Sequence, residues 1–125
     1  KVEKQKFVLD HIAKPKISES MSEKWVFSII ELSKSKNVFC KLSGMVTETL
    51  NFKFNEKEFT PFIDIIFQNF GSDRIMFGSD WPVCLLAANY KKVIQIVKNY
   101  FEDKNENIKN KIFAENALAF YNLEK

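Results

Sequence analysis

Histidine occurs once in this chain, as His11, arginine once, as Arg74, and cysteine twice. Cys40 and Cys84 stand within or just after apolar runs, in neither a CxxC spacing nor a dense framework, so reduced thiols and a cytoplasmic setting are expected. With one histidine there is no Cys/His cluster of structural-zinc spacing. A lone arginine among 18 dispersed lysines makes no basic stripe with interleaved aromatics, which argues against a nucleic-acid partner. No run reaches the roughly 18 consecutive apolar residues of a membrane span, and the N-terminus lacks the basic, apolar and small-residue regions of a secretion signal. Neither a membrane partner nor export is therefore expected. Low-complexity tracts and flexible linkers are also missing, which leaves one folding segment. An initiator Met is missing too: the chain opens on KVEKQKFVLDH and enters a strand-like run at once, so it is expected to be a piece of a longer polypeptide.

What is present is a globular composition. The 125 residues are 46% hydrophobic with a net charge of +3, enough to bury a real core. Most of the 13 phenylalanines fall at core spacing on helical faces and are expected to pack rather than to line a ligand cavity. KFVLDH (6–11) predicts a first strand, followed by a loop at Pro15. Trp25, Ile29 and Leu32 recur at helical spacing over 22–35, with Ser20 and Glu23 as a capping box. NVFCKLSG (37–44) predicts a second strand stopped by a Ser-Gly turn, and a polar loop. Asn55 and Glu58 repeat the capping spacing before a helix bearing Phe59, Phe62, Ile63, Ile66, Phe67 and Phe70, with Gly71 as its stop. DRIMFGSD (73–80) predicts a third strand. Helices are then expected over 85–101, with Val93, Ile96, Val97 and Tyr100 on one side, and over 108–121. Strands alternating with helices mean a parallel sheet with helical crossovers, in either a small open α/β sheet or part of an eight-unit barrel.

In parallel α/β folds, sites are built at the C-terminal ends of the strands. Those ends carry His11, then Lys41 and Ser43, then Asp80. A lone histidine serves equally well as a satisfied structural residue, but its place beside Asp10 at a strand tip favours function. Alternation points Leu9 and His11 to one face and Val8 and Asp10 to the other, so one of the Asp10–His11 pair is expected to face a site. Asp80 is a common turn residue type, yet an acid at the end of a buried strand is partly desolvated, which suits it to act as a general base on water. Lys41 in an apolar strand either snorkels to solvent or lines a polar cavity, where it would neutralise a substrate carboxylate or an oxyanion. Ser43 would add a hydrogen bond. Gly78 is expected to mark a close backbone approach or a bend. Trp81 is a sugar-ring platform or a packed aromatic. Cys40, one residue from Lys41, is expected on the opposite face as a small core residue.

The segments FVLDHIAKP, NVFCKLSGM, DRIMFGSDWPV and IFAENALAFYNL, in this order and at these separations, resemble amidohydrolase-superfamily proteins of the lactonase-like group. That group includes sugar-lactone hydrolases and 2-pyrone-4,6-dicarboxylate lactonases. The resemblance runs from about Phe7 to Leu123. It implies a partial (β/α)₈ barrel: about three C-terminal βα units with parallel strands plus a terminal helix, so that 1–125 is the C-terminal segment of such a barrel. The three strands then look like the sixth, seventh and eighth. His11 matches the sixth-strand active-site histidine, and Asp80 the eighth-strand aspartate that activates water. Lys41 and Ser43 fall where the pyrone lactonases contact a substrate carboxylate, although the residue used there is an arginine. The family's first-strand His-x-His pair is not in this chain, so the segment alone is expected to be inactive and, with open sheet edges, prone to form a homodimer. The implied activity is water attack on a small lactone or related ester of a sugar or pyrone acid. Asp80 would serve as base, and His11 would polarise the carbonyl or bind metal. The implied cofactor is either none or one divalent ion, zinc or manganese, held through His11 and Asp80. A metal-dependent decarboxylase of the same superfamily and a non-catalytic α/β binding module are the alternatives.

Overall fold

The computed structural model describes residues 4–124. Three short strands, β1 (Phe7–Leu9), β2 (Val38–Leu42) and β3 (Ile75–Phe77), form one parallel sheet in that order. Leu9 pairs with Cys40, Cys40 with Ile75, and Leu42 with Phe77, so the strands end together. They are shorter than the apolar runs that announce them, because each chain turns as soon as it reaches the C-terminal edge. In β2, Val38, Cys40 and Leu42 are buried while Phe39 and Lys41 are half-buried. The buried face packs into the core, and the other carries Lys41.

The first crossover helix, α1 (Glu23–Ser33), is capped by Ser22, whose Oγ accepts from the Trp25 amide at 3.4 Å. Ser20, the expected cap, stays outside the helix and exposed, because the chain remains extended through Ser22. The buried stripe is Trp25, Ile29 and Ser33, at every fourth residue, and Leu32 turns out to be 40% exposed on its flank. In α2 (Thr60–Phe70), Phe62, Ile63, Ile66 and Phe70 are buried, each aromatic or branched aliphatic side chain contributing about 1.5–3 kcal/mol on full burial. The Asn55–Glu58 reciprocal box is present, but it caps a short 3₁₀ turn (Glu56–Glu58), and α2 begins a turn later. Pro61 sits at that start, where a missing N–H is harmless. Gly71, with φ 69°, ends the helix.

The expected polar loop after β2 is instead a chain of 3₁₀ turns (Val46–Glu48, Leu50–Phe52, Glu56–Glu58) that delivers Met45, Val46 and Phe59 to the core. Helix α3 (Tyr90–Tyr100) starts later than Leu85 because the Asn89 side chain caps the Lys92 amide at 2.9 Å, while Val83–Leu86 forms its own short turn. The last helical stretch starts at Glu106 rather than Ile108, capped by Asn105. It comprises α4 (Glu106–Asn110), a π-turn (Lys111–Glu115) and α5 (Asn116–Tyr121). This stretch packs on β3 and on the exposed face of the sheet, with Phe113 against Phe77 (5.4 Å between ring centres) and Phe120 against Phe39 (5.0 Å).

The single arginine braces the end of the sheet away from the site. The Arg74 guanidinium donates to the carbonyls of Ser33, Ser35, Val38 and Asn69 at 2.9–3.3 Å, joining the C-terminal ends of α1 and α2 to the start of β2. A cation at two helix C-termini also faces the negative ends of their dipoles. No helix among the described residues is long and apolar enough to cross a membrane.

Candidate active site

The strand order and common direction bring the polar residues to one edge. Lys41 is the penultimate residue of β2, Ser43 follows that strand, Asp10 and His11 follow β1, and Asp80 lies just beyond β3. They share a hollow of about 380 Å³, whose polar wall is Asp10, His11, Lys41, Ser43 and Asp80.

β1 does not continue to His11. From His11 through Lys14 every residue has positive φ (49°, 46°, 61° and 50°). Left-handed backbone costs an L-residue roughly 1–2 kcal/mol. Compensation is visible: Ile12 is fully buried, its carbonyl accepts from Trp25 Nε1 at 2.8 Å, and the Lys14 amide closes the turn on the His11 carbonyl at 2.8 Å. The turn defeats strict alternation. Asp10 and His11 both line the hollow, instead of one facing it and the other facing away.

The imidazole is held from both ends. His11 Nδ1 lies 2.8 Å from Ser43 Oγ. His11 Nε2 lies 3.6 Å from Asp80 Oδ1 and 3.3 Å from Asp10 Oδ2. The other Asp10 oxygen is 3.3 Å from Lys41 Nζ. The side chains of His11 and Asp80 are only 25% and 17% exposed, so their mutual contact is weakly screened. Two glycines make room. A Cβ on Gly44, whose φ is +65°, would sit 2.7 Å from His11 Cγ, and a Cβ on Gly78 would sit 3.1 Å from Ser43 Cβ. The close approach expected at Gly78 is thus against Ser43.

Partial burial pulls the Lys41 pKa down, but hydrogen bonds to Tyr121 and Asp10 outweigh it and hold the ammonium above the usual lysine range. Lys41 does not reach to solvent as a free cation; it is 32% exposed and paired. Cys40 points away from the hollow and is fully buried. Burial, helped by the charge of Asp10, pushes its thiol up to about 12, so it is no nucleophile. Burial and Asp80 raise the Cys84 thiol likewise.

Trp81, considered above as a sugar platform or a packed aromatic, stands outside this hollow. It is 65% exposed, because the positive φ of Asp80 (57°) turns the chain outward. Four lining residues were missed in the sequence: Met76 and Phe77 from β3, and Ala117 and Tyr121, which enter from α5. The π-turn that aims the last two leaves no mark in helical periodicity.

His11 Nε2 and the Asp80 carboxylate are the groups that could contribute to a divalent ion. Ligands at about 2.0–2.2 Å around a tetrahedral ion lie roughly 3.3–3.6 Å from each other, which the His11–Asp80 separation fits. Among the described residues no group of three His, Cys, Asp or Glu could hold a metal ion, so these two residues would be a partial ligand set.

Comparison with known proteins agrees with this edge-on architecture. The amidohydrolase family profile matches residues 1–123. An L-fucono-1,5-lactonase from Burkholderia multivorans is 38% identical over 106 residues, covering 78% of this chain and 36% of the relative. A second L-fucono-1,5-lactonase, from Burkholderia ambifaria, is 39% identical over 85 residues, 68% of this chain and 29% of the relative. The chain therefore spans about a third of the length of these relatives. The crystal structure of an amidohydrolase from Burkholderia multivorans with bound zinc superposes with a TM-score of 0.89 at 35% identity, over 94% of this chain and 44% of that one. The parallel sheet with its crossover helices is accordingly part of a TIM barrel, and the chain belongs to the amidohydrolase family.

Proposed function

We propose that this chain is the C-terminal part of a barrel enzyme that hydrolyses a sugar lactone. One observation carries the reading: His11 Nε2 and Asp80 Oδ1 converge to 3.6 Å at the C-terminal edge of a parallel sheet, in a chain similar to two sugar-lactone hydrolases.

In the proposed reaction, Asp80 takes a proton from a water molecule as its oxygen attacks the lactone carbonyl carbon. His11, oriented through Nδ1 by Ser43, polarises the carbonyl oxygen as negative charge develops there. Collapse of the tetrahedral adduct breaks the ring C–O bond, and the proton held by Asp80 passes to the departing ring oxygen. The product is the open hydroxy acid. Where a divalent ion is bound, zinc or manganese, it would be held in part by His11 and Asp80 and would supply Lewis-acid polarisation. Barrel segments beyond this chain would complete both the oxyanion donors and any ligand set.

The charges favour an uncharged ring. Two carboxylates, Asp10 and Asp80, face one ammonium, and Lys41 is already paired with Asp10 at 3.3 Å. A dicarboxylate would meet repulsion at this wall, whereas a neutral sugar lactone would not. Replacing Asp80 by Asn in the complete enzyme tests the reading. Loss of a positioned general base lowers kcat by roughly 10²- to 10⁴-fold. Lactone turnover within threefold of the parent would refute the role of Asp80.

A further inference from the structure

The last helix is fastened to the sheet by several independent contacts. Asn116, 8% exposed, donates through Nδ2 to the carbonyls of Ser72 and Ile75 at 2.7 and 2.8 Å. The Phe120 ring meets Phe39 edge-on, and Lys6 Nζ lies 3.4 Å from the Ala119 carbonyl. The preceding π-turn adds a residue to the helical repeat, and such turns recur at functional sites. Its effect here is to present Ala117 and Tyr121, one turn apart on the same face, to the hollow. Ala117 is small, which leaves space beside the phenol. Phe120 packs on the flank of the Tyr121 ring, 4.8 Å between centres, and the ring centre is 5.9 Å from Lys41 Nζ.

The chemistry of this pair is complementary. A lysine ammonium has three N–H donors, and a phenol has one donor and two lone pairs. Lys41 Nζ is paired with an Asp10 oxygen at 3.3 Å and lies over the Tyr121 ring, 5.9 Å from its centre. Ammonium protons beyond the one turned to Asp10, and the phenol O–H, are the donors this pair brings to the hollow. Both are neutral-ligand donors: the charge of Lys41 is matched, and the phenol carries none.

We propose that Tyr121 is a substrate-binding residue, which with Lys41 donates hydrogen bonds to hydroxyl oxygens of a neutral polyhydroxylated lactone in this hollow. This inference rests on the lactonase reading above and adds a contact from the last helix to it.

The test is steady-state kinetics of the complete barrel enzyme with a sugar 1,5-lactone, comparing Tyr121→Phe, Lys41→Met and the double variant. Tyr121→Phe keeps the ring and its packing on Phe120, so the fold is retained, which circular dichroism would verify. Removing one uncharged hydrogen bond raises KM by roughly three- to tenfold with kcat within a factor of two. Because the two groups act as a pair, the double variant loses less than the product of the single effects. An unchanged KM in Tyr121→Phe, or a loss confined to kcat, overturns the assignment of Tyr121 while leaving the lactonase reading standing. No lactone turnover by the parent enzyme overturns both.

Discussion

Replacing Gly44 by Ala should damage the site and the fold together, for two separable reasons. The first is conformational: φ at Gly44 is +65°, a left-handed backbone that costs an alanine about 1–2 kcal/mol. The second is steric. The new methyl would lie 2.7 Å from His11 Cγ and 2.9 Å from both Cβ and Nδ1, distances that no real Cβ tolerates. The imidazole is pinned by Ser43 and flanked by two carboxylates, so yielding means giving up the 2.8 Å contact with Ser43 Oγ. Forcing a methyl into a filled space costs another 1–3 kcal/mol, and the sum is roughly 2–5 kcal/mol. Urea denaturation of the parent, Gly44→Ala, His11→Ala and the double variant separates the two parts. His11→Ala removes Cγ and Nδ1 but keeps the Cβ at 2.9 Å, so Gly44→Ala in that background should cost less than in the parent, keeping the conformational part and the smaller Cβ contact. Gly71→Ala is a control: φ is +69° but nothing lies within 4 Å, so it should destabilise without a dependence on His11. An equal cost of Gly44→Ala in both backgrounds would refute the steric argument.

Arg74→Met should remove four carbonyl contacts from the stability edge and lower the unfolding free energy by about 2–4 kcal/mol, well short of four times the roughly 1.5–3 of one charged hydrogen bond, because bonds that share one guanidinium do not add and the freed carbonyls can hydrate; a loss under about 1 kcal/mol would contradict this. Ala13→Gly, at an exposed position with φ 61°, should stabilise the chain by roughly 1 kcal/mol, read as a raised urea midpoint, and a lowered midpoint would mean the turn is not strained there. Cys40 predicts an alkaline signature. Its thiol is held at about 12 in the fold against an ordinary 9.0, so the stabilisation is complete below pH 9 and is lost as pH rises toward 12, because the unfolded chain releases the proton first. The loss has a ceiling of about 1.4 kcal/mol per pH unit, and Cys40→Ala should show a shallower decline; parallel pH curves would exclude the thiol as the cause.

The order of elements is legible in the sequence because parallel, buried strands and amphipathic helices follow different apolar periods. The helix ending at Gly71 reads clearly, since Phe62, Ile63, Ile66 and Phe70 form one stripe and glycine stops it. Local competition blurs the boundaries: Ser20 with Glu23 has the capping-box spacing, yet the chain stays extended through Ser22, whose side chain takes the Trp25 amide instead. The grouping of His11, Ser43, Lys41 and Asp80 follows from parallel strands ending at one edge, which the alternation of elements already implies. Facing is less accessible. Asp10 and His11 face the hollow together because four residues adopt left-handed backbone, and the buried Ile12 and Trp25 contacts that sustain this come from distant segments. Tyr121 is hidden for a similar reason, since a π-turn reassigns the faces of an otherwise ordinary amphipathic helix.

The Arg74 brace has a consequence for how such a protein can diversify. Its four carbonyl partners, together with those of Asn116 at Ser72 and Ile75, lie at the roots of the strands, whereas the imidazole and the carboxylates stand at their tips. On the lactone-hydrolase reading proposed above, robustness and ligand choice would be lodged in different residues. Substitutions around the tips would then retune which ring is accepted without loosening the roots, leaving lineages that carry this segment free to change diet on the same frame.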